Sequence, residues 1–185
     1  MNYSDYVSDL SSALDRAKQL SEQIEHVVHQ ITQCFMRGNK VLICGNGGSA
    51  ADAQHFAAEL IGRYKLNRDA LPAIALTTDT SALTALANDF SFDMIFSRQV
   101  SALGIKGDIL IGISTSGNSK NVLEALDEAL NLGMHCILMT GAKADKDLSR
   151  IDVIQVPSVE TDVIQTVHLS LYHYICCEVE RRLFA

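Results

Sequence analysis

Apolar residues recur every seven positions at the start of the chain. Val7, Leu14, Val28 and Phe35 fall in one register, Leu10, Ala17, Ile24 and Ile31 in the other, and Ser21 is the one polar interruption. About four heptads without proline or glycine predict one long helix or two stacked ones, stopped by Gly38-Asn39. A seam this long, ahead of the first strand, is expected to pack against partner subunits. After it the pattern changes to short apolar runs separated by helical periodicity. Strands are predicted over Val41–Cys44, Ala73–Thr77, Ile109–Ser114, Cys136–Thr140 and Val153–Val156. Helices are predicted over Ala50–Tyr64, Ser81–Ala87, Asp93–Leu103, Asn121–Leu132 and Asp162–Leu183. Continuous apolar strands in β-α alternation imply an α/β fold, a five-stranded parallel sheet with helices on both faces. With two prolines, no repeat and no low-complexity tract, residues 1–185 read as a single domain. Residues 1–36 form its N-terminal oligomerisation helix, and residues 37–185 the sheet and flanking helices.

Two strand-to-helix turns carry the first chemical signal. Ser114, Thr115, Ser116 and Ser119 follow the run Ile109–Ile113 and precede a helix. There the free backbone N–H groups and the positive end of the helix dipole converge, and hydroxyls add donors without fixed charge. Taken alone, such a loop is also an ordinary capped turn. Cys44-Gly45-Asn46-Gly47-Gly48-Ser49 is a second turn of the same kind, with glycines that allow close backbone approach and Ser49 as a cap or anion donor. It is neither a Walker A loop nor a GxGxxG turn. As a pair, the loops lie on one edge of a parallel sheet, where such folds bind ligands.

Composition narrows the classes. A formal net charge of −7, with no run of Lys or Arg, argues against a nucleic-acid binder. An anionic substrate would be held by local donors and not by the overall field. No apolar stretch approaches the ~18 residues of a membrane helix, and the first residues lack a signal-peptide pattern. Cys34, Cys44, Cys136, Cys176 and Cys177 form no CxxC pair and read as reduced core residues of a cytoplasmic protein.

Ionisable residues add candidates. His55 and Glu59, four apart, share a helix face just after the glycine turn. On the last helix the eleven residues from Asp162 to His173 return to within about 20° of one face, with Gln165 on a related one. Each feature also has an ordinary reading, a solvated i,i+4 pair and a core histidine.

The stretch Cys44–Leu60, with Gly62-Arg63-Tyr64, Ala87-Asn88-Asp89-Phe90 and Gly112–Ser119, resembles a sugar isomerase (SIS) domain, and more narrowly the phosphoheptose isomerase family. The resemblance runs from the N-terminal helix to the C-terminus. It implies an aldose-ketose isomerase converting D-sedoheptulose 7-phosphate to D-glycero-D-manno-heptose 7-phosphate through an enediol, the opening step of ADP-heptose synthesis for the lipopolysaccharide core. It implies that Ser49, Ser114, Thr115, Ser116 and Ser119 bind the phosphate, with Asn46, Gly47 and Gly48 lining the pocket. Asp89, Asp162 and Gln165 join the substrate site, the two aspartates on sugar hydroxyls. Glu59 is the implied general base and His173 its acid-base partner. The resemblance further implies one zinc ion per subunit on His55, Glu59, Gln165 and His173, and a homotetramer with its N-terminal helices at the centre.

The chain departs from the family pattern in two places. Val163-Ile164-Gln165-Thr166 lacks the charged neighbours usual around the glutamine, and Ala144-Asp145 replaces a double glycine. Other readings of the same fold are a non-catalytic tetramer that binds the bacterial replication initiator, a sugar-phosphate-sensing regulatory domain, and an aminosugar phosphate isomerase or etherase. Glu59 and His173 together favour the isomerase over the initiator-binding relative, and no DNA-binding segment accompanies the domain.

Overall fold

The computed structural model describes residues 2–144 and 148–185; Asp145, half of the Ala144-Asp145 departure after the fourth strand, lies outside them. Five strands form one sheet: β1 (Val41–Gly45), β2 (Ala73–Ala75), β3 (Ile109–Ser114), β4 (His135–Gly141) and β5 (Asp152–Val156). All neighbouring pairs are parallel, in the order β2-β1-β3-β4-β5. The central strands β1, β3 and β4 are buried on both sides, which is why they read as apolar runs.

Alternate residues serve two cores. Val41, Ile43, Ile109, Ile111, Ile113, Ile137 and Met139 face one side, with α1 (Tyr3–Ala17), α2 (Ser21–Met36), α3 (Gly48–Ile61) and α7 (Thr161–Phe184). Leu42, Cys44, Leu110, Cys136 and Leu138 face the other, against α5 (Ser97–Leu103) and α6 (Lys120–Asn131), with Leu83 and Leu86 of α4 (Thr80–Asp89). Period-two alternation within a buried strand divides the core between the faces.

The N-terminal pattern resolves into two helices. A single 3-10 turn, Lys18–Leu20, separates α1 from α2. Ala17, Ile24, Val28 and Ile31 of the heptad seam are buried in this chain's own core, where α2 packs on α7 and β5. Val7 and Leu14 remain 40 % and 38 % exposed. The expectation that the whole seam faces partner subunits is corrected here, since its second half covers this chain's sheet.

Two other boundaries shift. Asp93–Leu103, expected as one helix, is a 3-10 turn at Phe92–Met94 followed by α5. Helix α3 begins at Gly48 and ends at Ile61, so Tyr64 lies beyond it. There the buried carboxylate of Glu180 accepts the Tyr64, Lys65 and Leu66 N–H groups at 3.0, 2.8 and 2.6 Å and pairs with the Arg68 guanidinium at 3.2 Å. Desolvation pushes the Glu180 carboxyl up, but these hydrogen bonds outweigh it and hold it below its ordinary value.

Candidate active site

Strand β1 has β2 on one side and β3 on the other, so the chain reverses its winding between β1 and β3. At such a switch point the turns leaving the two strands diverge and open a crevice at their carboxyl ends. Those turns are the two singled out in the sequence. They are joined by side chains: Asn46 and Asn121 exchange two amide hydrogen bonds, each 2.8 Å. Asn121, 2 % exposed, is a site residue that sequence reasoning missed, because its partner lies 75 positions away.

The serine turn converges on itself. Ser114 Oγ lies 2.8 Å from Ser119 Oγ and 3.4 Å from Ser116 Oγ, and Asn118 N–H donates to Ser116 Oγ at 3.1 Å. Ser119 occupies the N-cap of α6, yet its hydroxyl makes no capping bond and turns to Ser114 instead. The start of α6 is thereby left to another acceptor, which is how a helix N-terminus receives a phosphate. The nearest cation in sequence, Lys120, is turned away to Asp93 at 2.6 Å. Thr115 is half-buried, and its carbonyl accepts Gly141 N–H at 3.1 Å.

The glycine turn has a different task. Gly47 caps α3 with φ 54° and ψ −120°, a conformation open to glycine. Gly48 lies under the Gln165 side chain, so an added Cβ would come within 2.5 Å of Gln165 Nε2. Ser49 is buried, with its N–H bonded to Asn46 O at 2.9 Å.

Helices α3 and α7 advance side by side: Gly48 meets Gln165, then Phe56 stacks on Tyr172 at 5.2 Å. At that second level His55, Glu59 and His173 converge, with one donor atom from each inside a 4.8 Å group. His55 Nε2 lies 3.0 Å from Glu59 Oε1, and the His55 and His173 rings meet edge-on at 5.0 Å. The Tyr64 ring stands 5.7 Å from His173, fixed by Glu180 on the same helix. Tyr172 Oη approaches His55 Nδ1 at 3.0 Å and Asp52 Oδ1 at 3.4 Å. Tyr172 and Asp52 are further residues missed in the sequence; their only signal is adjacency to His173 and placement one turn before His55.

Three expected site residues stand apart from this cluster within one chain. Gln165 is eight residues from His173, about 12 Å along the helix, and rests on Gly48. Asp162 shares the angular stripe of His173 but lies about 16 Å away along the axis. It opens instead on a groove with Tyr6, Asp9, Ser12 and Arg16 of α1. Asp89 ends α4, exposed, and accepts a hydrogen bond from Asn88 at 2.8 Å. Angular position alone gave no account of rise, which separates residues on one stripe.

A parallel α/β sheet with a hydroxyl turn at its switch point and a His-Glu-His group further along the helices beside it suits a sugar-phosphate-handling domain. The family model described as "SIS domain" matches residues 3–141. The phosphoheptose isomerase of Shewanella sp. (strain ANA-3) is 48 % identical over 97 % of this chain and 93 % of its own length. The structure of phosphoheptose isomerase GmhA from Neisseria gonorrhoeae superposes with a TM-score of 0.90 at 44 % identity, over 96 % of both chains. That of a phosphoheptose isomerase from Francisella tularensis gives 0.88 at 35 %, over 98 % of this chain and all of the other. The chain belongs to the SIS domain family and, within it, to the phosphoheptose isomerases.

Proposed function

We propose that the chain interconverts D-sedoheptulose 7-phosphate and D-glycero-D-manno-heptose 7-phosphate, the entry to ADP-heptose and the lipopolysaccharide core. The observation that carries this reading is the convergence of Glu59 and His173 from helices more than a hundred positions apart in sequence. It is supported by the hydroxyl turn at the switch point, which suits a phosphate monoester.

In the ketose-to-aldose direction Glu59 takes a proton from C1 while His173 delivers one to the C2 carbonyl oxygen, giving the enediol. Glu59 then returns its proton to C2, and the C1 hydroxyl surrenders its own to His173, leaving the aldehyde at C1. Atoms balance and both groups end in their starting states. A carboxylate and an imidazole suit these roles because each exchanges protons with carbon acids and hydroxyls when held within hydrogen-bond reach. Ser114, Thr115, Ser116, Ser119 and Ser49 would hold the phosphate, with Asn46, Gly47 and Gly48 shaping the wall beside it.

Two imidazoles and a carboxylate within 4.8 Å are a chemically suitable donor set for one zinc ion per subunit. When bound, the ion would supply Lewis-acid polarisation of the substrate oxygens. His55, Glu59 and His173 would hold it; Gln165 lies beside the phosphate turn of its own chain, on Gly48, and would reach the ion only from a neighbouring subunit, as Asp89 and Asp162 would reach the site. The exposed Val7 and Leu14 on α1 support a homotetramer built on that helix. No helix among the described residues is long and apolar enough to cross a membrane, in keeping with the proposed cytoplasmic location. Incubation with sedoheptulose 7-phosphate, followed by NMR for the aldose signal, tests the activity; no aldose from zinc-loaded protein rejects it.

A further inference from the structure

Tyr172 has one hydroxyl proton and two acceptors within reach. Its Oη lies 3.0 Å from His55 Nδ1 and 3.4 Å from Asp52 Oδ1, while His55 Nε2 lies 3.0 Å from Glu59 Oε1. Asp52, Tyr172, His55 and Glu59 therefore form one line of polar contacts across α3 and α7. With a neutral His55 ring the protons can be placed in it in two ways. In the first, Tyr172 donates to Nδ1 and the ring donates from Nε2 to Glu59. Asp52 then loses its donor at Oδ1, and its Oδ2 is already buried without a partner. In the second, Tyr172 donates to Asp52, Nδ1–H donates to Tyr172 Oη, and the Nε2 lone pair faces Glu59 Oε1. This arrangement keeps a donor on Oδ1 of the half-buried carboxylate, whose Oδ2 already lacks one. It also turns two lone-pair donors toward one point, beside His173. A positive charge between them, a proton or a metal ion, stabilises that arrangement, and the third donor from His173 suits the metal ion.

We propose that Asp52 and Tyr172 form an outer relay that holds His55 with Nδ1 protonated and Nε2 aimed at a divalent cation shared with Glu59 and His173. The inference rests on reading that trio as a metal site. It uses a general property of metal-bound imidazoles: the ring nitrogen away from the ion donates a hydrogen bond that fixes ring orientation. Here the receiver is a phenol backed by a carboxylate. Tyr172 is suited to it because its ring is buried, stacked on Phe56 with 15° between planes and edge-on to His55 at 5.5 Å. The hydroxyl is thus held in place by packing. Asp52 and Tyr172 touch neither ion nor substrate; both are positioning residues.

The test is zinc affinity, read by chelator competition on the full chain after metal stripping. The proteins compared are wild type, Tyr172→Phe, Asp52→Asn, the double variant and His173→Ala. Phenylalanine keeps the stack on Phe56 and removes only the hydroxyl. Asparagine can turn its NH2 toward Tyr172 and send the phenol proton to Nδ1, the unproductive arrangement. Each single change is expected to weaken zinc by about 10- to 100-fold. The double variant should be little weaker than the worse single one, because both act through one line of hydrogen bonds. Melting of the metal-free proteins should stay close to wild type. In zinc-bound wild type a slowly exchanging His55 Nδ1 proton should appear in 15N-edited spectra and vanish in Tyr172→Phe. Wild-type-like affinity in Tyr172→Phe, with zinc lost in His173→Ala, overturns the relay and leaves the metal reading standing. Additive losses in the double variant also overturn it. Wild type binding zinc no better than His173→Ala removes the metal reading and the relay with it.

Discussion

Asn46 and Asn121 exchange paired amide hydrogen bonds of 2.8 Å across the crevice between β1 and β3. Each amide satisfies both its donor and its acceptor in the other, so the glycine turn and the serine turn are set at a fixed separation. Asn121→Ala removes both bonds and leaves the half-buried Asn46 amide without its partner. The expected loss of folding stability is about 1–3 kcal/mol. Because the two turns would no longer be coupled, KM for sugar phosphate should rise with it. Denaturant unfolding and steady-state kinetics on the same preparation check the pair of effects.

Neighbouring glycines should respond oppositely to alanine. Gly47 has φ 54° and nothing within 4 Å of an added Cβ, so Gly47→Ala meets backbone strain and no clash. It should cost on the order of 1–3 kcal/mol. Gly48 starts α3 in an ordinary conformation, but its Cβ would press on the Gln165 amide. Gly48→Ala should leave thermal stability nearly unchanged while displacing Gln165 and raising KM. Equal stability losses in the two variants would contradict this assignment.

His168 gives a signed pH dependence. Burial pushes its imidazole from the ordinary 6.5 down to about 4, against a 3.4 Å hydrogen bond to Thr140 O that favours the charged form. Above pH 6.5 neither folded nor unfolded chain is protonated there. As pH falls, the unfolded chain takes the proton first, so stability drops, and the loss saturates below about pH 4. At about 1.36 kcal/mol per pH unit the loss over this window is on the order of 3 kcal/mol. The buried carboxyls of Asp108 and Glu180 are pushed up by desolvation but held lower overall by their hydrogen bonds, so they lose their contributions at more acid pH. Urea unfolding between pH 7 and 4.5 should show a shallower slope for His168→Gln than for wild type.

Assembly is tested most cleanly on α1. Leu14 is 38 % exposed in the isolated chain, whereas Ile24 belongs to the chain's own core. Leu14→Asp should therefore dissociate the proposed tetramer in light scattering while preserving the far-UV circular dichroism. Tetramers surviving both Leu14→Asp and Val7→Asp would place the interface elsewhere.

What could be read from the sequence follows the range of the interactions involved. Strand β3 was legible end to end because burial on both faces leaves an unbroken apolar run from Ile109 to Ile113. The switch-point turns were legible because hydroxyl and glycine density is local. The inward roll of α2 was not, since a seven-residue repeat describes a seam without naming what covers it. The separation of Asp162 from His173 was lost because a helical wheel projects out the axial rise. Tyr172 against His55 and Asn46 against Asn121 are contacts between distant segments, and nothing in either local sequence marks them.

Glu59 is the group proposed to move the proton between C1 and C2. Glu59→Gln keeps the shape of the side chain and removes the base, so turnover should fall by at least ~10²-fold while sugar phosphate still binds. Zinc content must be measured beside the rate, because the same carboxylate is a proposed ligand. The most direct measurement is isomerisation of sedoheptulose 7-phosphate in deuterium oxide, read by NMR at C1 and C2. Wild type should incorporate solvent deuterium at those carbons and zinc-replete Glu59→Gln should not. Near-normal incorporation and turnover in Glu59→Gln would contradict a base role for Glu59.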